Sequence, residues 1–238
     1  MVEDPELSEL RTEAVEDFLK AVFMLQQRYE LVPTTVLAQR LNITPPSATD
    51  MAKKLADTKR LKEPLLTHQK YRGVRLTALG ERIALEVLRH HRLIELYLVR
   101  VLGYTWDEVH EEAERLEHVI SERFEERIAE FLGHPEIDPH GDPIPSLEGK
   151  MPSQHHLTPL DDWPMGVKGV VARLLDQTTE KLRYLEQKGI TPGSIVEVVE
   201  REPYDGLTHI EVEDERYVLS QTVTRSIMIA NPLAESSE

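Results

Sequence analysis

Apolar residues recur at helical spacing over most of the chain and switch to alternation only near its end. Leu10, Ala14, Phe18, Ala21, Val22 and Leu25 line one face of a helix predicted over residues 9–30. Leu31-Val32-Pro33 ends it, and Thr34 or Thr35 caps a short helix over VLAQRLN. Thr44 then caps a third helix with Pro45 and Pro46 in its first turn, where proline is tolerated. Ala48, Met51, Ala52 and Leu55 form that helix's inner face. This order is that of a helix-turn-helix. LLTHQKYRGVRL, residues 65–76, is two β-prone runs around a basic loop and reads as a wing. A long helix runs from Thr77 to Gly103. Its apolar face (Ile83, Leu85, Val87, Leu88, Leu93, Leu96, Leu98) is wide enough for part of it to pack on a second chain. VHEEAERLEHVISERFEER, residues 109–127, lacks Pro and Gly and predicts one continuous helix ending near Leu132-Gly133.

Residues 134–164 are rich in proline and read as a linker with local turns, in which His155-His156 is taken as solvated and His90 of the long helix as exposed. Beyond it, the pattern predicts strands at Lys168–Leu174, Ser194–Glu200, Leu207–Val212, Arg216–Ser220 and Ser226–Ile229, and a short helix at Thr178–Gln187. The predicted fold is mainly α with a small β domain. Residues 1–76 form a winged helix-turn-helix and 77–148 a helical domain for metal binding and dimerisation. Residues 149–165 form a Pro-rich linker and 166–238 a small SH3-like β-barrel.

Charge sharpens this picture. The 238-residue chain has a formal net charge of −15, which argues against a general nucleic-acid binder. Yet Lys and Arg outnumber Asp and Glu from Thr34 to Arg92, and the balance reverses from Leu93 to Lys150. One surface is suited to phosphates and another to cations or a partner. There is no cysteine, hence no disulfide, thiolate metal site or Cys nucleophile. The N-terminus lacks a signal peptide's pattern, so a cytoplasmic location is expected.

On the winged helix, Lys53, Lys54, Lys70, Arg72 and Arg75 are placed to neutralise phosphates. Thr44, Pro46, Ser47, Thr49 and Asp50 sit at the start of the third helix, where base edges are read. At about 100° per residue, His110, Glu114, Glu117 and His118 share roughly a 100° arc of a continuous helix. Two readings of that strip stand: a solvated charged face with His118 in a core, or a site for a cation.

RHHRLIELYL, WDEVHEEAERLEHVISERFEERI and PHGDPIP, with the winged helix and the terminal barrel, resemble the diphtheria toxin repressor family of metal-dependent transcriptional regulators, including its manganese-responsive branch. The resemblance implies a homodimer that binds a palindromic double-stranded operator when a divalent metal is bound. It implies one metal set at Asp17, Glu114, Glu117 and His118, and another at His91, Glu95 and His110. Asp17 and Glu114 stand where iron-responsive members have Met and Cys. Lys20 stands where the manganese-responsive branch has a glutamate that completes a two-metal cluster. Thr178 and Lys181 match positions that supply ligands from the barrel in the iron branch and are poor donors, with Asp176 and Glu180 nearby. Oxygen and imidazole donors without sulfur suit Mn(II), with Fe(II) as the alternative. Two other functions are weighed: a metal-independent winged-helix dimer or adaptor, and a metalloenzyme.

Overall fold

The computed structural model describes residues 10–152 and 156–231. It divides into two compact units: residues 1–91 with 117–120 and 145–150, and residues 92–116 with 121–144 and 151–238.

In the first unit, α1 (Glu13–Gln26), α2 (Thr34–Arg40) and α3 (Pro45–Leu55) follow the expected order. Pro33, rather than Thr34 or Thr35, takes the N-cap position of α2. Thr44 caps α3 as expected, its hydroxyl accepting from Ser47 N at 3.3 Å. β1 (Leu66–Gln69) and β2 (Gly73–Leu76) pair antiparallel as the wing. Val15, Phe18, Leu19 and Val22 of α1 are buried, as are Leu37 of α2 and Ala48, Ala52 and Leu55 of α3. The apolar faces read from periodicity thus form this unit's core.

Helix α4 (Ala78–Tyr97) contributes its residues up to His91 to the first unit and those from Arg92 to the second. It ends through a widened turn, Leu98–Leu102, at Gly103, whose φ of 73° breaks the helical path. His90, expected to be exposed, is buried, because its ring nitrogen bonds the Glu117 carbonyl at 3.0 Å.

The expected single helix over 109–127 is two helices. α5 (Val109–Leu116) and α6 (Glu122–Phe131) are separated by a turn at Glu117–Ile120. Ser121 caps α6, accepting from Phe124 N at 3.3 Å. α5 and α6 lie in the second unit and the turn in the first. Leu93, Leu96, Ile128, Ala129 and Ile144 make a small core there.

The Pro-rich segment is not a free linker throughout. Ile137 bridges Pro143, and Asp138, His140 and Asp142 are buried. His156 is exposed, and His155 lies outside the described residues. The β domain has β3 (Thr158–Pro159), β4 (Lys168–Leu174), β5 (Ile195–Arg201), β6 (Leu207–Val212), β7 (Glu215–Ser220) and β8 (Ile227–Ala230). They form one antiparallel sheet in the order β3-β8-β4-β5-β6-β7. α7 (Thr179–Glu186) and α8 (Gln221–Thr224) complete it. Inward positions on β4, β5, β6 and β8 fill one core, with Trp106 from the segment before α5. The SH3-like expectation for this region is borne out. No described helix is long and apolar enough to cross a membrane.

Candidate metal centre and nucleic-acid interface

Asp17, Glu117 and His118 bring their donor atoms together in the first unit. Asp17 comes from α1, and Glu117 and His118 from the turn that interrupts the expected long helix. His118 Nε2 lies 3.1 Å from Asp17 Oδ1 and 3.3 Å from Glu117 Oε1. Its Nδ1 lies 2.7 Å from Glu16 Oε2. Carboxylates only accept, so both ring nitrogens carry protons in this arrangement. Burial pulls the His118 pKa down, but hydrogen bonds to Asp17 and Glu16 outweigh it and raise it to about 10. Burial raises the Glu16 carboxyl, and hydrogen bonds from His118 and Arg11 overcome it and hold the group below its ordinary value.

Glu117 is fully buried, and Lys20 brings a cation to it. Lys20 Nζ and His91 Nδ1 each contact its carboxylate. A buried carboxylate requires such partners. Glu16 was not singled out from sequence. The signal was present as a second acidic residue adjoining Asp17 on a helix with a strong apolar face.

In the second unit, Glu95 and His110 pair at 3.2 Å. Glu114, grouped from sequence with Asp17, Glu117 and His118, lies 3.3 Å from His110 Nε2, one turn away on α5. Hydrogen bonds to Glu114 and Glu95 raise the His110 pKa to about 9. A second group, Glu95, Asp138 and His140, is wholly buried. Burial, then the Asp142 and Glu95 carboxylates, push Asp138 up to about 7. His140 was assigned no role from sequence; its signal is a histidine enclosed in the tight Asp-Pro-His-Gly-Asp turn. In the β domain, Asp176 pairs with Lys181 at 2.6 Å.

The donor chemistry fits a hard or borderline divalent cation: carboxylates and imidazoles converge, and no sulfur is present. A cation held there would take the place of the ring proton on His118 Nε2, and Glu16 would keep the proton on Nδ1 and fix the ring.

The DNA-facing candidates group on α3 and the wing. Thr44, Pro46, Ser47, Asp50, Lys53, Lys70 and Arg72 are exposed, and Thr49 and Lys54 half-buried. Lys53 lies 3.3 Å from Asp50, partly neutralising it. Thr49 donates to Pro45 O at 2.9 Å. At the wing tip Tyr71 is 92% exposed, with Lys70 Nζ 4.8 Å from its ring centre. Arg72 bonds Gln69 at 2.9 Å.

Comparison with known proteins matches three stretches of the chain. Residues 11–74 match the N-terminal DNA-binding domain of iron-dependent repressors, and 77–146 their metal-binding and dimerisation domain. Residues 158–231 match the FeoA domain. The chain is 30% identical over 230 residues to the iron-dependent repressor IdeR of Mycobacterium tuberculosis, covering 91% of this chain and 96% of that one. It is 26% identical over 206 residues to the diphtheria toxin repressor of Corynebacterium diphtheriae, covering 83% and 89%. Among solved structures, a manganese-dependent transcriptional repressor in complex with manganese superposes with a TM-score of 0.80 at 35% identity, covering 91% and 99%. ScaR with bound Cd2+ gives 0.75 at 34%, with the same coverage.

Proposed function

The chain belongs to the iron-dependent repressor family, and from that premise we infer that it represses transcription in response to a divalent cation. It binds DNA through α3 and the wing, and it dimerises through the helical region that matches the family's dimerisation domain. We assign Mn2+ as the ion, with Fe2+ as the alternative. The sulfur-free donor set supports this, as does the likeness to the manganese-dependent repressor. The operator is read as palindromic, since a two-fold dimer presents two equivalent recognition helices.

One observation carries the reading: α1 and the Glu117–Ile120 turn meet at Asp17, Glu117 and His118. These three side chains would hold a cation, and Glu95 with His110 and Glu114 would serve a second. The cation would supply the positive charge among these carboxylates that the His118 Nε2 proton supplies without it. Asp17 then anchors α1 to the turn. α1 packs on α2 and on β2 of the wing, so its position is passed to the DNA-binding elements. The bound arrangement is favoured only as far as the donors hold the cation better in it than in others.

Binding to a candidate operator, titrated with Mn2+, Fe2+ and Zn2+ separately at one stated salt concentration, tests this. Affinity should rise with Mn2+ or Fe2+ and fall with chelator. Binding indifferent to chelator, or unchanged in Asp17→Ala, overturns it.

A further inference from the structure

The wing is fastened to α1 along one edge. Val74 of β2 faces Val32, in the segment that follows α1, through two backbone hydrogen bonds. Val32 N donates to Val74 O at 2.8 Å, and Val74 N to Val32 O at 2.9 Å. Alternation along the strand turns the Leu76 N–H to the same edge. There it donates to the side-chain amide of Gln26, whose Oε1 accepts at 2.8 Å. Gln26 is the last residue of α1, and its side chain continues the ladder that the Val32 backbone begins. Leu76 is buried, so loss of that acceptor would strand its N–H away from water. Gly73 brings the two backbones closer still: at φ 137°, an added Cβ would lie 2.4 Å from Val32 O.

The root of the other strand is held by different elements. Leu65, just before β1, donates from its N to Leu55 O at the end of α3 at 2.9 Å and accepts from Thr77 N at 3.1 Å. Gly80 of α4 sits so near that an added Cβ would lie 2.1 Å from Leu65 O. β2 thus rides on α1, while the root of β1 is held by α3 and the start of α4. A shift of α1 against α3 therefore acts on the hairpin as a twist and moves Lys70 and Arg72 at its tip. α1 can deliver such a shift as one body, because Phe18, Leu19 and Val22 along it are buried. Gln26 follows Asp17 by nine residues, roughly 14 Å of helix at 1.5 Å per residue. The candidate cation cluster lies toward one end of this rod and the wing at the other.

We propose that Gln26 is the positioning residue that carries the state of the Asp17 end of α1 to the wing, so that the cation governs the phosphate contacts of the hairpin tip rather than base reading by α3. This rests on the reading of Asp17, Glu117 and His118 as a cation site. The coupling is reciprocal: a wing held on DNA must tighten the cation by the same factor with which the cation tightens DNA. A purely structural hydrogen bond at Gln26 would instead steady the wing equally with and without the cation, and its loss would leave that factor unchanged.

The test compares the full-length chain with Gln26→Met, which removes the acceptor at similar length, and with Gln26→Glu, which retains it. Backbone exchange at residues 73–76 is followed first, without DNA. Mn2+ should slow it in the unaltered chain and in Gln26→Glu, and not in Gln26→Met. Affinity for a candidate operator and for an unrelated duplex is then measured with Mn2+ and with chelator across a salt series. The gain in affinity from Mn2+ should fall about tenfold in Gln26→Met. The loss should be alike on both DNAs, and the slope of log affinity against log salt should drop by about 0.9 for each phosphate released. A gain from Mn2+ unchanged in Gln26→Met, even with weaker binding throughout, overturns the coupling. So does a loss confined to the operator, or slowing at residues 73–76 that persists in Gln26→Met. Operator binding by the unaltered chain that ignores Mn2+ overturns instead the cation reading on which the proposal rests.

Discussion

Lys20 and Glu117 form an ion pair in which the carboxylate is fully buried and the lysine half-buried. Lys20 lies one turn after Asp17 on α1, so a cation fixed to the chain sits beside the cluster that would hold a free one. We expect one Mn2+ at Asp17, Glu117 and His118, with Lys20 supplying the charge a neighbouring second ion would bring. Lys20→Met should destabilise the metal-free protein by roughly 3 kcal/mol, because it removes the lysine partner of a fully buried carboxylate. Saturating Mn2+ should restore part of that stability. Lys20→Glu should raise the Mn2+ stoichiometry of this cluster by one. Thermal unfolding with and without Mn2+, and calorimetric stoichiometry, check both.

Glu16 holds His118 by its Nδ1 and so aims Nε2 at Asp17 and Glu117. Arg11 in turn bonds both Glu16 and Glu86. Glu16→Gln keeps the shape but removes the charge that favours the Nδ1 proton. Mn2+ affinity at this cluster should fall about tenfold, while the Glu95–His110 site is unaffected. Equal affinities in the two proteins would show that Glu16 does not orient the ring.

The helix faces of the winged domain and the strands of the β domain were legible because each rests on local periodicity and turn residues. Thr44 before two prolines, and the alternation of Leu207–Val212, state their structure within a few residues. The site was only half legible. The residue types at 17, 110, 114, 117 and 118 are visible, but their grouping depends on a break that no Gly or Pro marks. Ser121, with Glu122 and Glu125 behind it, is a helix start within a run of good helix formers. Reading through it placed four residues on one arc, whereas the turn sends Glu117 and His118 to one unit and leaves His110 and Glu114 in the other. The proline-rich loop misled for the opposite reason. Composition marks it as a linker, yet Asp138, His140 and Asp142 are buried by contacts distant in sequence, which no local pattern encodes.

With the raised pKa values, cation binding at the proposed ligands His118 and His110 should be a proton-exchange reaction. His118 is pushed up to about 10 and His110 to about 9. Both lie above the ordinary histidine value near 6.5. In the metal-free protein each contributes stability that is complete below about 6.5 and is lost as pH rises through its folded value. Mn2+ binding should run the other way and strengthen as pH rises, since each donor nitrogen must first lose its proton. Near neutral pH, binding should release about one proton per histidine ligand. The observed binding enthalpy should therefore vary with the ionisation enthalpy of the buffer. An enthalpy independent of buffer would show that His118 and His110 are not displaced from their protons.

The wing and α3 should divide into positioning and reading roles. Arg72 and Lys70 flank the exposed Tyr71 at the hairpin tip and Lys54 lies late on α3, and all three are expected to meet phosphates. Each substitution to alanine should weaken binding to all DNA sequences alike. It should also lower the slope of log affinity against log salt by about 0.9 for every phosphate no longer neutralised. Ser47 and Thr49 sit in the first turns of α3, with Ser47 held by Thr44 at 2.8 Å. Their substitution should leave the salt slope unchanged. Where the side chain meets a base edge, it should reduce discrimination between operator and unrelated DNA by about 1–3 kcal/mol. Fluorescence anisotropy on both DNAs across a salt series, at saturating Mn2+, separates the two classes. A salt slope unmoved by all three basic substitutions would place the phosphate-binding surface away from the wing and α3.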